Sequence, residues 1–208
     1  ALTDQFGTHV AAPHNVRVNC HDITLEAQAW QGTSGLQLML YGSDSNKQRL
    51  VQYLTLLCFN ANDNFLPLDT YFLAWAKGKY TVRYRHIDPF PQDVAQQLLD
   101  DICQLYQSML SAPVPAFIDL TLALLDGFEK WQKNHDDGMS FSYWLTSEDG
   151  ASCWQNALKG GYMTASLNDD PYVRWFFPTG LAMSDFPAQP LANVFTPLYL
   201  NRKDKKVK

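Results

Sequence analysis

The residue triplet Cys20-His21-Asp22 holds the types from which a nucleophile, its base and an orienting acid are built. Its neighbours argue against that use. Val16, Val18 and Cys20 alternate with Arg17, Asn19 and His21, which predicts an extended chain. Adjacent side chains of a strand point to opposite faces, so Cys20 has no route to His21. His135-Asp136-Asp137-Gly138 has metal-ligand types but neither the alternating oxygen ligands of a calcium loop nor a second histidine for zinc. It reads as a helix stop and turn. Glu148-Asp149-Gly150 and Asn168-Asp169-Asp170-Pro171 read as turns for the same reason. Lys159-Gly160-Gly161 lacks the glycine spacing and Lys-Ser/Thr ending of a phosphate loop, and Gly-x-Ser-x-Gly is absent. No catalytic, cofactor or metal residue is assigned, and no enzyme activity is expected.

Two surface features point to binding. In Lys77–Arg85, Lys77, Lys79, Thr81, Arg83 and Arg85 alternate with Gly78, Tyr80, Val82 and Tyr84. Period 2 predicts a basic stripe on one strand face, with Arg83 and Arg85 as candidate protein-binding residues. The segment Tyr172–Tyr199 interleaves prolines with aromatics, and Trp175, Phe176 and Phe177 are consecutive. No regular element buries all three on one face, so they are the second candidate protein-binding group.

The 208 residues are 46% hydrophobic and 18% charged, enough apolar material for a core and too much for disorder. Net charge is −5. Arg202, Lys203, Lys205, Lys206 and Lys208 face one acid, Asp204, in the last seven residues, so the body is more acidic than the total. The basic tail 202–208 is expected to be a solvated end. A chain this acidic is not a generic nucleic-acid binder, and nucleic acid is not the expected partner. Cys20, Cys58, Cys103 and Cys153 form no Cys-x-x-Cys. With no sequon, leader or long apolar run, a reducing, cytoplasmic setting without membrane insertion is expected. Cys58 and Cys103 fall in apolar helical patterns and are expected in the core.

The elements that must carry these residues follow from periodicity. Val16–Trp30 reads as extended chain and Leu36–Tyr41 as a strand pairing with it. A helix runs from caps at Ser43-Asp44-Ser45 to about Asn60, with Leu50, Leu54 and Leu57 as its stripe. Thr70–Ala76 and Tyr80–Ile87 form a hairpin, and Gln92–Leu110 is a helix with Val94, Leu98, Ile102, Leu105 and Met109 in 3.6-residue spacing. This predicts an α+β fold: an antiparallel sheet with packed helices in the order strand-strand-helix-strand-strand-helix, over residues 1–112. Residues 113–208 are expected to form an irregular, helix-containing extension packed on it. It starts with a helix at about Ala116–Lys133, then a possible strand at Phe141–Leu145 and a helix at Ala151–Leu158.

The succession Ile23–Trp30, Leu36–Tyr41, Lys47–Asn60, Tyr71–Ile87 and Asp93–Leu110 resembles the small α+β chaperones of bacterial type III and type IV secretion. The likeness covers half the chain and lacks their amphipathic first helix. The extra length resembles larger adaptors of type IV coupling complexes. It implies a non-enzymatic, chaperone-like virulence adaptor whose partner is a protein, a secretion component or effector segment. Two other readings use the same residues: a small hydrolase built from scattered polar groups, and a nucleic-acid accessory protein using Lys77–Arg85 and the tail.

Overall fold

A computed structural model describes residues 13–31, 35–41, 45–62, 65–76, 79–135, 138–160, 166–200 and 202–206. The chain divides into two units, residues 1–104 with 197–208, and residues 105–196.

The first unit is built on a six-stranded sheet in the order β1-β2-β3-β4-β5-β6. Strands β1 (Pro13–Cys20) and β2 (Ile23–Gln31) form a hairpin over the two-residue turn His21-Asp22, where His21 takes φ 54°. The sequence reading expects one extended run over Val16–Trp30. The break in its alternation at residues 21–22 is this turn, made without glycine. Strand β2 pairs antiparallel with β3 (Leu36–Tyr41) at Trp30 and Gln31.

Helix α1 (Asn46–Ala61) starts at Ser45, whose hydroxyl accepts from the Gln48 amide while the Gln48 side chain accepts from the Ser45 amide. This capping box satisfies two amides that a helix start leaves free. The helix carries the chain across to β4 (Leu68–Ala76), so β3 and β4 run parallel. An all-antiparallel sheet is therefore corrected at this one pairing: parallel neighbours need a long crossover, and α1 is that crossover. Strand β5 (Lys79–Ile87) returns antiparallel to β4, and α2 (Gln92–Ser111) follows. Arg202–Lys206 forms a sixth strand, β6, antiparallel to β5. The tail expected as a solvated end is thus sheet at these five positions.

Val18, Cys20, Ala29, Leu36, Leu56, Leu57, Phe59, Leu68, Ile87, Leu99 and Cys103 are buried. Cys58 and Cys103 lie in this core as their apolar settings predict. Asn60, 1% exposed, is its main polar joint: its amide donates to the Leu66 carbonyl (3.1 Å) and its oxygen accepts from the Phe90 amide (2.9 Å).

The second unit is helical: the last part of α2, then α3 (Ile118–Gln132), α4 (Phe141–Leu145), α5 (Glu148–Lys159), α6 (Pro171–Phe176) and most of α7 (Ala188–Leu200). The expected strand at Phe141–Leu145 is the helix α4. Its burial suits either shape, but Ser140 caps Tyr143, and Thr146-Ser147 restarts a helix directly behind it. Phe128 of α3 meets Phe141 at 5.5 Å and Trp144 at 5.4 Å between ring centres, which ties α3 to α4. The segment expected as an irregular arm contains α6 and α7. Pro171 opens α6 at its first position, where the missing amide costs nothing, and Asp170 caps the next two amides. Overall the α+β class holds. Among the described residues no helix is long and apolar enough to cross a membrane.

Candidate functional site

The register of β4 and β5 sets Asp69 opposite His86 and Tyr71 opposite Tyr84. Directly paired residues share a sheet face, so the four converge on one side. Tyr84 Oη donates to Asp69 Oδ1 at 2.7 Å, and His86 Nδ1 lies 2.7 Å from the same oxygen. His86 Nε2 lies 3.0 Å from Asp88 Oδ1, just beyond the strand end. Burial, with the Asp69 hydrogen bond and charge behind it, pushes the Tyr84 phenol up and keeps it a donor. Both histidine nitrogens are engaged by carboxylates, so the group fastens β4, β5 and the loop to α2. A base serving a substrate needs a free nitrogen, which this ring lacks. The sequence reading missed this group because Asp69 and His86 stand 17 residues apart and only the strand register joins them.

The other face of the same pair is closed. Leu68, Thr70, Arg85 and Ile87 are all 4% exposed or less. Arg85 is therefore buried among core residues and is not a docking cation on an open stripe. The strand alternates as expected, but its cationic phase at Arg85 is the covered one. The Arg83 side chain lies outside the described residues, as do those of Lys77 and Lys79. By backbone register, β6 sets Lys206 opposite Arg83, Lys205 opposite Tyr84, Asp204 opposite Arg85, Lys203 opposite His86 and Arg202 opposite Ile87. The outermost strand beside β5 is thus four-fifths cationic.

Residues 1–129 match the family model of the RecC C-terminal domain. The chain belongs to the RecC C-terminal domain family. The matched span holds β1 to β5, α1, α2 and most of α3. No curated protein matches the chain. This membership overturns the resemblance to secretion chaperones and type IV adaptors, and with it the chaperone, virulence and effector-partner expectations. Those rested on the order of strands and helices, which unrelated families share. RecC belongs to DNA repair, so the expectation that set nucleic acid aside is corrected as well. That expectation came from net charge, and net charge is blind to where the cations sit.

In this RecC-family chain the aromatic triplet is split. Trp175 and Phe176 on α6 are 81% and 55% exposed, and Tyr172, one turn earlier, is 78% exposed. Phe177 follows the helix end and packs edge-on against Phe117, with ring centres 6.3 Å apart. Val173 is the buried side of α6, and Arg174 is tied to Asp169 at 2.7 Å. The thiols are held protonated. Burial, then neighbouring Cys103 and Asp100, pushes Cys20 up to about 12, and burial with Cys103 does the same for Cys58. A protonated thiol is a poor nucleophile. His21 lies exposed in the hairpin turn while Cys20 is buried, so the triplet of residues 20–22 is not a dyad. His135 stacks on Trp131 with ring centres 4.5 Å apart; its neighbours 136 and 137 lie outside the described residues.

Proposed function

We propose that the chain is a non-catalytic component of a RecBCD-type DNA-repair assembly, cytoplasmic in setting, that contacts DNA and the RecB- and RecD-type subunits. The observation that carries this is the family match over residues 1–129. Two features of the site support the non-catalytic part. The one histidine–carboxylate group on the β4–β5 face is satisfied internally, and the core thiols are kept in their unreactive form. Trp175 and Phe176, with large exposed rings on a helix anchored by Val173, are the protein-binding residues of this reading. Aromatic anchors of that kind dominate interface energies.

Co-expression with RecB- and RecD-type subunits tests it. The chain is expected to co-elute with both on size exclusion, and Trp175→Ala with Phe176→Ala is expected to weaken that association at least tenfold. Elution of the wild-type chain alone overturns the assembly. Magnesium-dependent DNA cleavage by the isolated chain overturns the non-catalytic assignment.

A further inference from the structure

We propose that the outer edge of the sheet, strand β6 beside β5, is a contact for the phosphodiester backbone of DNA, engaged by charge and without reading sequence. This rests on the DNA-repair reading above and deepens it by naming the surface.

Strand β6 carries Arg202, Lys203, Lys205 and Lys206 around the single Asp204, and its backbone is placed on the edge by pairing with β5 from Arg83 to Ile87. The pairing brings Lys206 to the position across from Arg83, so the basic positions of two strands distant in sequence become neighbours. A strand rises about 3.4 Å per residue, so positions 202–206 span roughly 14 Å. Duplex DNA carries a negative charge about every 1.7 Å along its axis, so an edge of this length meets a few phosphates. Cations occupy both alternating sets of β6 positions, which suits a rod-like polyanion lying along the edge. The remainder of the chain carries a net negative charge, so the four cations of this short strand concentrate positive charge on one edge, where a polyanion is attracted. A peptide would most readily use a sheet edge by adding a strand, and lysine-dense edges oppose that addition. The chemistry therefore favours a nucleic-acid backbone over an acidic polypeptide.

The test uses the full 208-residue chain with a fluorescent DNA oligonucleotide, single-stranded and duplex, titrated across salt. The variant carries Arg202→Gln, Lys203→Gln, Lys205→Gln and Lys206→Gln. The expected result is a loss of affinity of about tenfold or more at low salt. The log–log salt slope should fall by about 0.9 per lost duplex contact and about 0.7 per single-strand contact. A second measurement needs no variant: bound DNA is expected to protect Lys203, Lys205 and Lys206 from amine acetylation, while Lys47 and Lys130 stay equally reactive. A folded variant with wild-type affinity and slope, or absence of protection in the wild type, overturns the edge contact. So does displacement of DNA by polyglutamate at equal charge concentration. A chain that assembles with RecB- and RecD-type subunits yet fails these tests loses only this edge; one that fails to assemble loses the underlying function.

Discussion

Asn60 shows what a single residue does in this fold. The sequence marks it as the end of a helix, the first of an Asn-Ala-Asn-Asp-Asn run. In the structure it is buried, with its amide nitrogen on the Leu66 carbonyl and its oxygen on the Phe90 amide. One side chain therefore closes the loop into β4 and the loop into α2. Asn60→Asp keeps the acceptor for Phe90 and removes the donor to Leu66, leaving a charge in the core. We expect a loss of about 2–4 kcal/mol, read by denaturant unfolding. Asn60→Ala loses both bonds without burying a charge and is expected to cost less than Asn60→Asp. Equal stability of the aspartate variant and wild type would refute the joint. The asparagine was visible in the sequence, but its partners are 6 and 30 residues away and no local pattern points to them.

At the scale of elements, the α4–α5 junction is where local signals mislead most. Glu148-Asp149-Gly150 reads as turn chemistry, and Phe141–Leu145 as a strand. Instead Ser147 caps α5, the two acids sit in its first turn where the helix dipole favours them, and Gly150 is buried. A Cβ at Gly150 would overlap the Trp144 carbonyl oxygen and the Leu145 backbone, which a helix packed this closely cannot relieve. Gly150→Ala is expected to lower stability by about 1–3 kcal/mol despite alanine's better helix propensity. A thermal melt showing stabilisation would mean the junction opens without cost. The same scale explains β3 and β4. Alternating hydrophobicity identified both strands, but the direction of pairing depends on the length of chain between them, and α1 supplies a crossover.

For the whole molecule, the buried acids of the core set an alkaline limit. Cys20 and Cys58, near 9 when exposed, are pushed up to about 12 by burial, and burial also raises Tyr53. Their folded-state values lie above the unfolded ones, so the native state keeps protons that the unfolded chain releases. Their contribution to stability is complete below about pH 9 and is lost as pH climbs towards 12. Denaturant midpoints are expected to hold to about pH 9 and then fall. Cys58→Ser, which removes one such thiol, should flatten that fall. A midpoint constant to pH 11 would contradict it.

The α+β class, the helices α1, α2 and α3, and the burial of Cys58 and Cys103 were legible from periodicity, because apolar spacing is imposed by the core that each element must face. Strand register was not: it alone joins Asp69, Tyr84, His86 and Asp88, puts Arg85 inside and sets Lys206 beside Arg83. Residues up to about 120 positions apart meet in that sheet, and a pairing over such a distance is chosen by the packed whole. The amino-acid order by itself marked the strands β3, β4 and β5 and the helices α1, α2 and α3, and determined that the chain is acidic with a basic end. Only the tertiary structure decided that this end is a sheet edge, because an edge exists only once β5 is in place to receive it.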